Sequence, residues 1–150
     1  MSSYKKIVVG TDGSDTSLIA VDRAAAIAKN SEAGLLIVTA YKPASETEVK
    51  AAQDALKGEA YLIVGSAPAE SVLRDAAFRA RAAGAAGVDT LAVHGPPVTV
   101  LVRAVVESSA DLLVVGSVGL NTLAGRILGS VPQGVSRRAR VDVLIVHTTS

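Results

Sequence analysis

Hydrophobic residues in this chain are concentrated in short, nearly continuous runs. Four runs rich in valine, isoleucine and leucine cover residues 7–9, 35–40, 112–115 and 141–146, and a weaker fifth run covers residues 90–93. Runs of this length are typical of strands that are buried on both faces, as in parallel sheets. The pattern therefore predicts five strands of a buried parallel sheet.

Helical patterns separate these runs. The first follows Ser14 and Asp15, which are both suitable N-caps, and ends near Asn30. Two further helices are predicted over residues 69–83 and 97–108. Strands that alternate with helices imply crossover connections, so the pattern predicts an α/β fold with a doubly wound parallel sheet.

The chain has 150 residues, which fits one domain, so we expect residues 1–150 to fold as a single unit. Residues 42–68 give no clear prediction. A helical pattern covers residues 46–56, and the following segment YLIVGS is compatible with a strand or with a packed loop.

Composition narrows the classes of function. The net charge of +1 and the aromatic content of 3% argue against a nucleic-acid-binding surface, which needs basic patches and stacking rings. The chain has no cysteine, which excludes disulfides and thiolate chemistry. The start, MSSYKKIVVGTDGSD, does not resemble a signal peptide and no apolar run is long enough for a membrane span, so we expect a cytoplasmic protein.

The segment VVGSVGLNTLAGRILGSV, residues 114–131, carries the strongest candidate chemistry. Gly116 follows a predicted strand, at the sheet edge where open α/β proteins bind ligands. Gly116 and Gly119 allow backbone N–H groups to approach a ligand closely. Ser130 is expected to be the N-cap of a helix over residues 131–138, whose first turn attracts phosphate.

The nine residues 120–128 are long enough to bring Gly129 and Ser130 back beside Gly116. The alternative is that these glycines only serve turns and that Ser130 is an ordinary cap. The segment lacks the Gly-Lys-Ser/Thr ending of a Walker A loop, and its spacing does not fit the dinucleotide-binding fingerprint.

Two charged side chains are candidates for contact with the same ligand. Asp12 follows the first strand, where a carboxylate can meet a ribose hydroxyl or a metal ion on phosphate. Its alternative role, a helix cap, is better served by Ser14 and Asp15. Arg126 lies within the nine-residue loop and either faces the ligand or points to solvent. Cations at residues 137, 138 and 140 are better explained as partners of a helix C-terminus.

The spacing Gly116-x2-Gly119-x9-Gly129-Ser130, after DLLVVG and before VDVLIVH, resembles the nucleotide-binding signature of the universal stress protein family. The opening KKIVVGTDGSDTS resembles the first strand and loop of that family. The resemblance covers essentially the whole chain. It implies a Rossmann-like fold of the adenine nucleotide alpha hydrolase type, with a five-stranded parallel sheet of order 3-2-1-4-5 and helices on both faces.

The same resemblance implies a ligand site. Asp12 is expected near the ribose or a Mg²⁺ ion bound by the phosphates, and the backbone of Ala40 is expected to contact adenine. The resemblance implies that Gly10 and Thr11 line the crevice in which the nucleotide lies. It also implies that the ribose and phosphates are held by the following groups: Gly116, Gly119, Gly129, the hydroxyl of Ser130 and the backbone of Val131.

Two positions depart from the family's pattern. Pro132 replaces a second hydroxyl residue and removes a backbone N–H, and Val118 places an apolar side chain between the first two glycines. These departures favour AMP or cAMP as competitors of ATP for the site.

We expect a regulatory nucleotide-binding module, sensor or buffer, and a homodimer formed through the terminal strand 141–146.

One alternative is a weak ATP-hydrolysing enzyme, although neither a base nor a Walker lysine is evident. A pyrophosphatase-type synthetase would need a Ser-Gly-Gly-x-Asp-Ser loop, which TDGSDTS matches only in part. The last alternative is a structural dimer with a vestigial pocket.

Overall fold

The computed structural model describes residues 3–42, 66–117 and 130–148. In these ranges it contains, in chain order, β1 (Lys6–Gly10), α1 (Asp15–Ser31), β2 (Gly34–Tyr41), α2 (Ser66–Ala82), β3 (Gly87–His94), α3 (Pro97–Ser108), β4 (Leu112–Gly116), α4 (Ser130–Arg138) and β5 (Asp142–Val146).

The five strands form one parallel sheet of order β3-β2-β1-β4-β5, which confirms the expected topology. α1 and α2 pack on one face of the sheet, and α3 and α4 pack on the other. The helices change face because the chain first moves outward from β1 to β3 and then returns to β4 and β5 through crossovers of the same hand. The direction of winding therefore reverses between β1 and β4.

Small and β-branched side chains allow the helices to pack closely on the sheet. α1 buries a stripe of alanines with Val21 among them, against strand residues such as Ile7 and Val9 that are wholly buried. On the other face, Leu101 and Val105 of α3 pack against Val8. The continuous hydrophobic runs of β1 and β4 arise because helices cover both faces of these central strands.

Several element boundaries differ from the predictions, most of all in β3 and α2. β3 has eight residues rather than four, because it is an edge strand in which the exposed Gly87 and Asp89 flank Val88 and break the hydrophobic pattern before residue 90. α2 begins at Ser66, before the predicted residue 69, and β5 begins at Asp142, one residue later than predicted. The helical pattern of residues 46–56 lies outside the described residues, as does YLIVGS except for its serine.

The amino edge of the sheet is held by two carboxylates. Asp111 accepts hydrogen bonds from the backbone N–H groups of Lys5, at 3.0 Å, and Lys6, at 3.1 Å. Burial raises the pKa of Asp111, but these backbone donors outweigh burial and hold the pKa below its usual value. The Tyr4 hydroxyl donates to Asp142 Oδ2 at 2.7 Å. These contacts join the start of β1 to β4 and β5.

In the ranges that the structure describes, no helix is long and apolar enough to cross a membrane.

Candidate functional site

The strand register brings the predicted ligand-binding residues of three strands to one edge of the sheet. Val9 pairs with Val114 and Gly10 pairs with Val38. Extending the parallel register by one or two residues places Gly116 of β4 and Ala40 of β2 on either side of the loop that follows β1. This edge is formed by the carboxyl ends of the strands at the reversal of winding, where open α/β sheets bind ligands.

The β1–α1 loop is a hydrogen-bonded turn that presents Asp12. Asp12 Oδ1 accepts from the backbone N–H of Ser14 at 2.9 Å, and Gly13 adopts a left-handed conformation with φ of 84°. Ser14 Oγ accepts from the N–H of Ser17 at 3.2 Å, which identifies Ser14, one of the two predicted candidates, as the N-cap of α1. Asp12 shapes the turn before the cap, and its two-oxygen carboxylate retains acceptor capacity for a further donor.

Thr11 is held by hydrogen bonds from three directions. Its N–H donates to the Val38 carbonyl at 3.0 Å, its carbonyl accepts from Thr39 Oγ1 at 2.6 Å, and its Oγ1 accepts from the Gly13 N–H at 3.1 Å and lies 2.7 Å from Ser17 Oγ. The Thr11 side chain and both of its backbone polar groups are thus engaged in hydrogen bonds within the protein, and its predicted part in lining the crevice stays a prediction. Sequence reasoning did not identify Thr39, although a hydroxyl inside a hydrophobic strand was the available signal.

Gly10 has a packing reason to be glycine. A Cβ atom at this position would lie 3.0 Å from both Cδ atoms of Leu101 on α3. The absence of a side chain therefore allows α3 to pack closely beneath the carboxyl end of β1. The predicted part of Gly10 in lining the crevice stays a prediction.

The chain that leaves β4 is joined to the chain that leaves β5. Gly116 pairs with Val146, and the Ser117 N–H donates to the Val146 carbonyl at 2.8 Å. Ser117 Oγ accepts from the Thr148 N–H at 3.1 Å, and both side chains are buried. These contacts hold the backbone directly after Gly116. Sequence reasoning did not single out Ser117, although it lies within the glycine segment.

α4 begins at the same edge of the sheet. Because α4 ends shortly before β5 starts at the opposite edge, its first turn lies at the carboxyl edge. Ser130 lies within the helix, so the prediction that it is the N-cap was wrong. Ser130 is exposed, Val131 is half-buried and Pro132 is buried, and a proline at this position provides no N–H to a ligand.

The arginines of α4 lie in its last turn, away from the carboxyl edge. Arg138 Nη1 donates to Thr99 Oγ1 at 3.4 Å, and Arg137 is exposed beside it. Their position is consistent with the interpretation that they complement the helix dipole.

The position of α4 depends on a close approach to α3. A Cβ atom at Gly134 would lie only 2.6 Å from Val98 Cγ2 and 3.0 Å from Val98 Cγ1. Glycine at this position allows the two helices to come together and so sets where the first turn of α4 lies.

Three predicted ligand contacts, Gly119, Arg126 and Gly129, lie outside the described residues. Within residues 3–42, 66–117 and 130–148, no three histidine, aspartate or glutamate side chains form a group that could hold a metal ion. A Mg²⁺ ion held indirectly through Asp12 and nucleotide phosphates stays a prediction.

The fold and the site define an open, doubly wound α/β protein with glycines, hydroxyls and helix N-termini at the carboxyl ends of its strands, which is the architecture of α/β nucleotide-binding folds. The universal stress protein family model matches residues 3–147, and the chain belongs to that family.

Two kinds of relative extend this assignment over the whole chain. The universal stress protein Rv1636 of Mycobacterium tuberculosis is 58% identical over 149 residues, which cover 99% of this chain and all of the relative. The crystal structure of a universal stress protein in complex with cAMP is 50% identical with a TM-score of 0.76, and the match covers 99% of this chain and 100% of that one. The crystal structure of Rv1636 has a TM-score of 0.64 at 51% identity, with 99% of each chain covered.

Proposed function

We propose that this protein binds an adenine nucleotide at the carboxyl edge of its sheet and acts as a regulatory binding module, a sensor or a buffer of that nucleotide. The observation that supports this most is the likeness, along almost the whole chain, to a universal stress protein crystallised with cAMP. The geometry is compatible with it, because the ends of β1, β2 and β4 and the first turn of α4 meet at this edge.

Three groups of described residues would recognise the base, the ribose and the phosphates of the nucleotide. The carboxylate of Asp12, oriented by its hydrogen bond from the Ser14 N–H, accepts a hydrogen bond from a ribose hydroxyl. The backbone of Ala40, at the end of β2, contacts the base. Gly116 lets the ligand approach the backbone after β4, and the first-turn N–H groups of Ser130 and Val131 meet phosphate oxygens.

The chemistry of α4 favours ligands with few phosphates. Pro132 is the third residue of the helix, where an N–H group would otherwise be free to meet a terminal phosphate oxygen. cAMP and AMP need fewer such donors than ATP does. We therefore propose AMP or cAMP as the preferred ligand, with ATP and Mg²⁺ binding more weakly. We also propose that the protein is cytoplasmic.

The test is calorimetric titration of nucleotide-free protein with cAMP, AMP and ATP, each with and without Mg²⁺. We expect cAMP and AMP to bind, and ATP to bind about tenfold more weakly, because phosphate oxygens that lose water without gaining a donor at Pro132 cost about 1–3 kcal/mol. cGMP and GMP are the matched controls for recognition of the base.

Absence of binding by every adenine nucleotide would contradict the proposal and leave a structural dimer as the better interpretation. Equal binding of guanine and adenine nucleotides would contradict recognition of the base at β2. Release of inorganic phosphate from ATP would favour the enzymatic alternative.

We also propose that the protein is a homodimer paired through β5. Val143, Leu144 and Ile145 are only half-buried in this edge strand. The Val146 carbonyl faces β4, so the backbone groups of Ile145 point away from the sheet and are available to a second copy.

Sedimentation equilibrium tests the dimer. Ile145→Pro removes an outward N–H without removing a bond to β4, so we expect this variant to be monomeric while the parent is dimeric. Thr90→Pro removes an outward N–H from the opposite edge strand, since the Gly95 N–H faces β2, and this control is expected to stay dimeric. A monomeric parent protein, or a dimeric Ile145→Pro variant, would argue against pairing through β5.

A further inference from the structure

Thr39 is a polar residue at a position where an apolar one would be expected. It lies in β2 between the buried Val38 and the half-buried Ala40, and its side chain is 1% exposed. Its hydroxyl donates to the Thr11 carbonyl at 2.6 Å, in the loop after the neighbouring strand. Valine has nearly the same shape and would bury no polar group, so packing of β2 does not by itself require the hydroxyl.

The Thr39 hydrogen bond controls the orientation of one peptide group. The carbonyl of Thr11 and the N–H of Asp12 belong to the same planar peptide unit. The Thr11 N–H is bonded to the Val38 carbonyl at 3.0 Å, which fixes the other side of Thr11. With both sides of Thr11 bonded to β2, the direction in which the chain enters Asp12 is determined by β2.

Thr39 is also adjacent in sequence to Ala40, the residue whose backbone is proposed to contact the base. One side chain therefore joins the part of β2 that meets the base to the loop that presents the ribose-binding carboxylate. Both connections are short: one covalent step to Ala40, and one hydrogen bond plus one peptide unit to Asp12.

We propose that Thr39 is a positioning residue for nucleotide recognition. Its hydrogen bond to Thr11 sets the separation between the Ala40 backbone and the Asp12 carboxylate, so that base and ribose are contacted at the same time. This inference rests on the proposed function, because it concerns the geometry of that same site.

The test compares Thr39→Val with Thr39→Ser in calorimetric titrations with AMP and with 2′,3′-dideoxy-AMP, which lacks the ribose hydroxyls. The parent is expected to bind AMP about tenfold more tightly than the dideoxy analogue, because a carboxylate–hydroxyl bond is lost. In Thr39→Val this ratio is expected to fall to about one, through weaker binding of AMP. Thr39→Ser keeps the hydroxyl and is expected to keep the ratio.

The ratio separates positioning from a structural effect. A general weakening of the fold would reduce the affinity of both ligands equally and leave the ratio unchanged, which would overturn the inference. If Thr39→Val does not fold, Thr39→Ala removes the same bond with less side-chain volume and provides the same comparison, while Thr39→Ser still reports on the hydroxyl.

The experiment distinguishes failure of the proposed function from failure of the inference about Thr39. If the parent protein binds no adenine nucleotide, the proposed function fails and the positioning of Asp12 for a ribose fails with it. If the parent binds AMP and discriminates against the dideoxy analogue, and Thr39→Val does the same, the proposed function stands and the inference about Thr39 is wrong. If the parent binds AMP and its analogue equally, Asp12 does not contact the ribose and the inference is also overturned.

Discussion

Gly116→Val is expected to reduce adenine-nucleotide affinity by about a hundredfold or more while the protein stays folded. Gly116 is the last residue of β4 and does not have the positive φ that would require glycine, unlike Gly13. Valine is a favourable strand residue, so the backbone can accept it. The proposed need for glycine is close approach of the ligand, and losing two hydrogen bonds to a charged phosphate, each worth about 1.5–3 kcal/mol, accounts for the size of the effect.

The measurement is calorimetric titration with cAMP, combined with thermal unfolding to show that the variant is folded. Gly87→Val is the matched control, because Gly87 lies at the amino end of β3 and a Cβ atom there would have an ordinary 3.8 Å contact with the Gly34 Cα. The control is expected to bind as the parent does. A folded Gly116→Val variant with parental affinity would show that the ligand does not lie beside Gly116.

Gly134→Ala is expected to destabilise the protein by about 1–2 kcal/mol, which corresponds to a fall in Tm of about 2–8 °C for a chain of this size. In an unobstructed helix the same change is stabilising by about 0.5–1 kcal/mol, because glycine is a poor helix former. Here the new methyl group would lie 2.6 Å from Val98 Cγ2, and the β-branched valine has little freedom to move away. The cost of the clash with Val98 therefore outweighs the stability gained from the higher helix propensity of alanine.

Urea unfolding of four proteins checks this prediction: the parent, Gly134→Ala, Val98→Ala and the double variant. If the contact is the cause, the double variant is expected to be no less stable than Val98→Ala alone, because the alanine at 98 makes room for the new methyl group. An increase in stability for Gly134→Ala alone would mean that α3 and α4 are not held close together.

Much of the fold was predictable because the strands of a parallel sheet covered by helices appear in the sequence as continuous hydrophobic runs separated by helical patterns. The runs at β1 and β4 are nearly continuous because these strands are buried on both faces. The cap of α1 was recognisable to within two residues, Ser14 and Asp15, because capping depends on local hydrogen bonds. The full extent of β3 was not predictable, because an edge strand is partly exposed and its polar residues, such as Asp89, do not form a hydrophobic run.

The candidate site was predictable in outline for the same reason. The ends of buried strands mark one edge of the sheet, so Gly10, Asp12 and Gly116 could be assigned to it from their places after hydrophobic runs. Ser130 was predicted as the cap although it lies within α4, because serine is suited to the cap and to the first turn, and the choice between them depends on backbone geometry.

By itself, the sequence determined the α/β class and the edge at which Gly10, Asp12 and Gly116 lie, because these follow from the local alternation of buried strands and amphipathic helices. The tertiary structure alone decided which partners hold that edge in place. Thr39 and Thr11 are 28 residues apart in the chain, and Ser117 and Thr148 are 31 residues apart. Such pairs leave no local periodicity, because only the pairing of neighbouring strands brings their hydroxyl and backbone groups within hydrogen-bonding distance.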